Sequence, residues 1–115
     1  MTSSNFPERI KSLPRFSGRF DAFRLAAENC EIFFAQYPGN TEIEPHHHDT
    51  DNYGVITQGE LILVMDGQEQ RFQVGDWYHV PAKAMHAARF EQFTAEIEFW
   101  FKPDLQELDQ NPDHK

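Results

Sequence analysis

Three consecutive histidines, His46 to His48, are the residues of this sequence best suited to chemistry. On an extended strand alternate side chains share a face, so His46 and His48 point the same way and His47 points to the opposite side. Two imidazoles placed in this way can bind one first-row metal ion at about 2.0–2.1 Å. Asn52 keeps the same parity if the strand is regular, and His86 is the remaining candidate ligand, on a separate strand. The alternative for the triplet is a solvated polar loop with only opportunistic metal affinity.

The histidines lie within a series of short strand-like segments that are separated by turn residues. Such runs are typical of strands, and Asp66-Gly67 is the dipeptide most typical of a type I′ hairpin turn. The segments are Phe23 to Ala27, Cys30 to Tyr37, Thr41 to His48, Tyr53 to Thr57, Glu60 to Met65, Gln70 to Val74, Trp77 to Val80, His86 to Phe90 and Thr94 to Phe101. About nine or ten strands, with no convincing amphipathic helix before residue 103, predict an all-β sandwich or closed barrel.

The length of 115 residues is that of one ordinary domain. We expect an N-terminal arm over residues 1–20, a barrel domain over residues 21–103 and an acidic C-terminal tail over residues 104–115. A closed sheet of eight to ten strands leaves an interior that can hold one small ligand.

The composition excludes several classes of function. The formal net charge is -9, which repels nucleic acid and anionic lipid, so we expect no nucleic-acid partner and no membrane partner. No apolar run approaches the length of a transmembrane helix. The lone cysteine, Cys30, cannot form an internal disulfide, which is consistent with the cytoplasm. Neither a glycine-rich phosphate loop nor a Ser-His-Asp order is present.

The histidines, three glycines and one proline lie at spacings that form two motifs. The first is His46-x-His48 followed by Asn52 and Gly59, and the second is Gly75, Pro81 and His86. These patterns resemble the two signature motifs of the cupin superfamily, G(X)5HXH(X)3,4E(X)6G and G(X)5PXG(X)2H(X)3N. The resemblance extends from Gly39 to Phe90 and implies a small single-domain cupin β-barrel, also called a double-stranded β-helix or jelly roll.

Four positions depart from these motifs. Six residues separate Gly39 from His46 where the motif has five, Lys83 replaces a glycine, and Phe90 replaces the final asparagine. The departure that alters the site itself is Asn52, which occupies the position of the motif glutamate. An amide oxygen is a weaker donor than a carboxylate, so Asn52 either ligates the ion weakly or donates a hydrogen bond near it.

The resemblance implies a divalent metal held by His46, His48 and His86, with Asn52 as the fourth candidate. Fe, Mn, Ni and Zn are not distinguished by the sequence. Three neutral imidazoles leave the ion with its full charge, which favours an anionic or chelating ligand. Similar three-histidine iron sites occur in the cupin thiol and diketone dioxygenases. Cupins also resemble one another in pairing their sheets, so we expect a homodimer.

Three further polar residues are candidates for catalytic roles. Arg89 either clamps a substrate carboxylate or lies on the surface of its strand. Glu96 and Glu98 alternate with Ile97 and Phe99, so one of the two faces must point inward. We favour an apolar face that fills the core and glutamates that are solvated, whereas the reverse arrangement places two acids near the metal.

Three functions remain open at the level of the sequence. The first is a metal-dependent enzyme acting on a small organic molecule, such as a three-histidine dioxygenase. The second is a non-catalytic binding or sensor module in which any metal only anchors the ligand. The third is a metal-dependent isomerase or lyase that uses Glu96 or Glu98 as a base.

Overall fold

The structure is a computed structural model that describes residues 6–17, 21–23, 25 and 27–103. The expected C-terminal tail and part of the expected N-terminal arm lie outside these residues. The elements are α1 Glu8–Lys11, β1 Arg15–Ser17, β2 Asp21–Phe23, β3 Cys30–Tyr37, β4 Thr41–His46, β5 Asp51–Gln58, β6 Glu60–Met65, β7 Gln68–Gln73, β8 Trp77–Val80, β9 His86–Phe90 and β10 Thr94–Phe101.

Eight of the strands form two antiparallel four-stranded sheets. One sheet has the order β3-β10-β5-β8 and the other has the order β4-β9-β6-β7, while β1 and β2 form a separate hairpin. Consecutive strands therefore alternate between the sheets, with the β6–β7 hairpin as the exception within the barrel. Its turn is the predicted one, because Asp66 and Gly67 both have the positive φ angles, 56° and 73°, of a type I′ turn. The all-β prediction is confirmed.

Apolar side chains from both sheets fill one part of the space between them. The buried residues of this cluster are Ile56, Leu61, Leu63, Tyr78, Val80 and Phe90. The ring of Phe90 stacks on that of Tyr37 with 4.1 Å between centroids, which joins β9 of one sheet to β3 of the other. The remaining inner space is a cavity, and its walls are the side chains described below.

The N-terminal segment packs on the outer face of the β3-β10-β5-β8 sheet. Phe6 lies edge-on to both Phe23 and Trp77, at 6.1 and 6.2 Å between ring centroids. Trp77 in turn stacks on Phe99 of β10. Part of an apolar outer sheet face is thereby covered by the chain itself. Among the residues that the structure describes, no helix combines the length and the apolar character needed to span a membrane.

Candidate metal centre

Two of the predicted ligands are cross-strand neighbours. His46 ends β4 and His86 begins β9, and these residues are paired across the antiparallel ladder after an irregularity in the register that follows Ile43. Side chains of directly opposed residues lie on the same side of a sheet and within contact distance. Their imidazole ring centroids are accordingly 4.3 Å apart.

His48 reaches the same place from beyond the end of β4. The carbonyl of His48 accepts a 2.6 Å hydrogen bond from the Lys83 N–H, which ties it to the loop that precedes His86. Lys83 replaces the motif glycine and still has the left-handed backbone, with φ 69°. This conformation costs a non-glycine residue about 1 kcal/mol, so the loop keeps the geometry of a glycine turn despite the substitution.

The three imidazoles converge on one point. One ring nitrogen from each of His46, His48 and His86 lies within 4.8 Å of the other two. The Nε2 atoms of His46 and His48 are 3.0 Å apart. Two nitrogens bound at right angles to one ion at about 2.0–2.1 Å are separated by about 2.9 Å. The spacing of this pair is therefore that of two adjacent ligands of a single ion.

Backbone carbonyls orient two of the three rings. His46 Nδ1 lies 2.8 Å from the Glu44 carbonyl and His86 Nδ1 lies 2.9 Å from the Ala84 carbonyl. A carbonyl can only accept, so each Nδ1 carries the proton and each Nε2 presents its lone pair. This arrangement is the usual orientation of metal-binding histidines.

The surroundings of the cluster favour neutral imidazoles. Burial lowers the pKa of His48, and the neighbouring His46 and His86 lower it further. Burial also lowers the pKa of His86, against the opposing effect of its hydrogen bond to Ala84. Neutral imidazole is the form that binds a metal ion.

Asn52 supplies an oxygen beside the histidines. It lies on β5, in the other sheet, so the condition for its shared parity, a regular strand from His46 to Asn52, is not met. Bends at residues 49 and 50 carry the chain across the barrel. The side chain is 6% exposed, lines the same cavity as the histidines, and its Oδ1 has no hydrogen-bond partner. A buried amide oxygen without a partner is costly, and a cation between the sheets would satisfy it. The residues present thus fit a divalent ion.

The cavity behind the histidines has a free volume of about 70 Å³. Its polar lining residues, besides the histidines and Asn52, are Tyr37, Tyr78, Glu96, Glu98 and Trp100. A cavity of about 150 Å³ accommodates benzene. The enclosed part of this one therefore suits a smaller molecule or a few waters.

The prediction that Glu96 and Glu98 on β10 are solvated is wrong. Glu96 and Glu98 are buried, with 3% and 6% exposure, and line the cavity, whereas Ile97 and Phe99 face outward. The preference for solvated glutamates assumed an apolar barrel interior. This interior holds hydrogen-bond donors instead, and these replace water around the carboxyl groups.

The two glutamates have different partners. Glu98 Oε2 accepts a 2.5 Å hydrogen bond from the Tyr37 hydroxyl, and Glu98 Oε1 accepts a 3.0 Å hydrogen bond from Trp100 Nε1. Glu96 Oε1 accepts a hydrogen bond from the Tyr78 hydroxyl. The pKa of Glu96 is raised to about 7, chiefly by burial; the Tyr78 hydrogen bond lowers it and the charge of Glu98 raises it.

A glycine makes room for one of these contacts. A Cβ at Gly54 would overlap the ring of Tyr78, so the ring can cross β5 only because residue 54 has no side chain. Tyr37 and Tyr78 were not among the predicted site residues. The alternation of side chains on β8 could have indicated that Tyr78 points inward. No local feature of the sequence indicates that the hydroxyls of Tyr37 and Tyr78 contact residues of β10.

Arg89 lies away from the cluster. It is not among the residues that line the cavity, and its guanidinium binds Glu69 Oε2 at 2.7 Å and approaches Glu91 Oε2 at 3.6 Å. On β9 the cavity-lining residues are His86, Ala88 and Phe90. Arg89 alternates with these, so the second of its two sequence alternatives, a position on the outer surface, is the one that the structure adopts.

Comparison with protein families gives one match, to the Cupin_2 family, a cupin domain, over residues 33–97. This range is more than half of the chain and includes His46, His48, Asn52 and His86. It also includes Glu96 and ends one residue before Glu98.

Several solved structures share the fold at low sequence identity. A cupin-2 domain protein from Shewanella frigidimarina has a TM-score of 0.60 and 19% identity, over 68% of this chain and 76% of that one. An RmlC-like cupin from the same organism has a TM-score of 0.60 and 18% identity, over 69% of this chain and 71% of that one. Salicylate 1,2-dioxygenase from Pseudoaminobacter salicylatoxidans has a TM-score of 0.62 and 18% identity over 70% of this chain, which corresponds to only 23% of that enzyme. Likeness at this identity establishes the fold alone.

Proposed function

The chain belongs to the cupin-domain family, and on that premise we propose that it is a metal-dependent enzyme acting on a small organic molecule. The observation that carries this proposal is the convergence of three imidazole nitrogens on a cavity that the unpartnered oxygen of Asn52 also lines. His46, His48 and His86 would bind the ion through nitrogen, and Asn52 would face it through Oδ1.

A divalent ion held there supplies Lewis acidity and, where it is redox-active iron, the capacity for dioxygenase chemistry. The chain's own residues select the ligand. The four donors near the ion are all neutral, so an anionic or chelating group is favoured at the ion. The free volume of about 70 Å³ restricts the enclosed part of the ligand to a few non-hydrogen atoms. A small chelating acid or hydroxy compound satisfies both conditions.

The metal site is tested by elemental analysis of untagged protein, with matched histidine variants. His86→Ala removes a ligand and is expected to abolish stoichiometric metal. His47→Ala is the control, because His47 belongs to the same triplet but is exposed and outside the cluster. Equal metal content in the two variants would refute the assignment.

A second reaction class is favoured by the glutamates. Glu98 is held by two donors, whereas the pKa of Glu96 is raised to about 7 by burial. A carboxyl group that titrates near neutrality serves as a general acid or base, and paired groups in different environments are typical of acid–base sites. Glu96 would take a proton from one position of the ligand and return it at another, as an isomerase or lyase requires.

The two reaction classes are separated by two assays, each with its own panel of compounds. Oxygen uptake with thiols, diketones and catechols supports a dioxygenase. Deuterium incorporation from D2O into small hydroxy and keto acids, followed by NMR and lost in Glu96→Gln, supports proton transfer. Binding of panel members without turnover in either assay would instead favour a sensor or carrier.

We further propose that two copies associate through β3. This strand forms an edge of its sheet, and its outward side chains Ile32 and Phe34 are 39% and 77% exposed. An unpaired strand edge with exposed apolar side chains favours pairing with another strand, and a second β3 meets it with two-fold symmetry. Light scattering should give a dimer for the native chain and a monomer for Phe34→Asp, while Phe93→Asp, at another exposed phenylalanine, should stay dimeric.

The cytoplasm remains the proposed location. Its support is the single thiol of Cys30, which is buried and whose pKa is raised by burial. A reducing compartment suits such a thiol. Fractionation of cells that express the untagged chain tests this location.

A further inference from the structure

His48 is held differently from the other two candidate ligands. The Nδ1 atoms of His46 and His86 each meet a backbone carbonyl, whereas the described part of the chain offers no such partner for His48 Nδ1. The His48 ring instead lies edge-on to the indole of Trp100, with 4.5 Å between ring centroids and 83° between planes. The hydrogen bond of the His48 ring is the 3.0 Å contact between its Nε2 and His46 Nε2, the atoms that would face a bound ion. With no partner at Nδ1 the ring has broad freedom about χ2, so the contact with Trp100 restricts its orientation.

Trp100 is itself fixed by the acid cluster. Its Nε1–H donates to Glu98 Oε1 at 3.0 Å, and the other oxygen of Glu98 accepts from the Tyr37 hydroxyl. The ring of Phe33 lies edge-on to the indole at 6.3 Å. A continuous set of contacts therefore runs from Tyr37 on β3 through Glu98 and Trp100 on β10 to His48.

We propose that Trp100, anchored by Glu98, is the positioning residue of His48 and takes the place of the carbonyl acceptor that the other two histidines have. The proposal rests on the metal site of the proposed function. Residues that orient a ligand typically contribute about 10- to 100-fold to metal affinity. Glu98 thereby acts on the ion through Trp100 and His48, in addition to any contact with the ligand.

The first test measures Co²⁺ affinity by chelator competition and records the visible spectrum of the Co²⁺ protein. Trp100→Leu should weaken binding about 10-fold or more and shift the Co²⁺ bands. Trp100→Phe keeps a ring against His48 but cannot donate to Glu98, so its Co²⁺ affinity should lie between those of the native chain and Trp100→Leu. Trp77→Phe is the matched control, because Trp77 packs on the outer sheet face against Phe99, and it should leave affinity and spectrum unchanged.

The coupling to Glu98 is tested by a double-mutant cycle. Glu98→Leu removes the anchor of the indole, so the Glu98→Leu/Trp100→Leu protein should lose little more Co²⁺ affinity than Trp100→Leu alone. Losses that add fully would show that Glu98 does not act through Trp100.

A second readout does not need the ion. In the metal-free protein, ¹³C relaxation of the ring should show greater motion of His48 in Trp100→Leu, with His46 and His86 unchanged. A folded Trp100→Leu or Trp100→Phe protein with native His48 motion would overturn the proposal. Absence of Co²⁺ binding by the native chain would instead overturn the proposed function, and the relaxation data would still decide the role of Trp100.

Discussion

On β10 the inward face is polar and the outward face is apolar, which is the reverse of an ordinary surface strand. The inward residues Glu96 and Glu98 carry carboxyl groups, whereas the outward residues Ile97 and Phe99 are apolar. Sheets with one solvated face usually place apolar side chains inward. The inversion is stable because tyrosine and tryptophan donors satisfy the inner carboxyl groups, and because other apolar surfaces cover part of the outer face.

The two faces contribute to stability in different ways. Buried carboxyl groups are tolerated only when hydrogen bonds replace their water, and each glutamate receives at least one from a tyrosine. Polar groups held in this way are available for chemistry. The outer face contributes packing instead, through Trp77 on Phe99 and the N-terminal Phe6.

The largest effect is expected at Glu96. Its pKa is raised from 4.5 to about 7 in the folded protein, so between these pH values the folded state keeps a proton that the unfolded chain releases. The stability that Glu96 contributes is therefore fully present below pH 4.5 and is lost as pH rises through 7. The loss amounts to about 3 kcal/mol at 1.36 kcal/mol per unit. Urea denaturation of chelator-treated protein at several pH values measures it.

Glu96→Gln is the reference for this measurement, because it keeps the size of the side chain and cannot ionise. As pH rises from 4.5 to 7, the unfolding free energy of the native chain should fall relative to that of this variant. Parallel profiles would mean that Glu96 titrates normally and that its burial on the inner face does not raise its pKa.

A smaller effect is expected at Gly54. Its replacement by alanine forces the Tyr78 ring away from β5 and weakens the hydrogen bond to Glu96. Overpacking of this kind typically costs about 1–3 kcal/mol. Gly39→Ala adds the same methyl group where the nearest atoms are 3.4 Å away, so it should change the urea midpoint much less. Equal losses in the two variants would remove the special role of Gly54.

The smallest effect is expected on the outer face at Arg89. Its pairs with Glu69 and Glu91 are solvated, and solvated pairs contribute little to stability. Arg89→Ala should leave metal content, ligand binding and the urea midpoint unchanged. A selective loss of affinity for anionic ligands would restore Arg89 as a substrate clamp and would weaken the contrast between the two faces.

The strand pattern was predictable because turns and alternation are local properties. Glu60–Met65, Trp77–Val80 and His86–Phe90 have the bounds that the sequence indicated, since each is closed by glycine, proline or a polar turn. The position of Asn52 was not predictable in the same way. Its parity with the histidines was conditional on a regular strand, whereas bends at residues 49 and 50 move the chain to the other sheet.

The sequence by itself determined the all-β class, because strand alternation and turns are local properties of the chain, and its resemblance to the cupin motifs implied the three histidines that meet. The tertiary structure alone decided which face of β10 points inward, since Ile97 and Glu98 alternate equally well in either orientation. It also decided that Trp100 contacts His48. The orientation of β10 depends on the hydrogen-bond donors that other strands bring to the cavity. Those contacts join residues as distant in sequence as Tyr37 and Glu98.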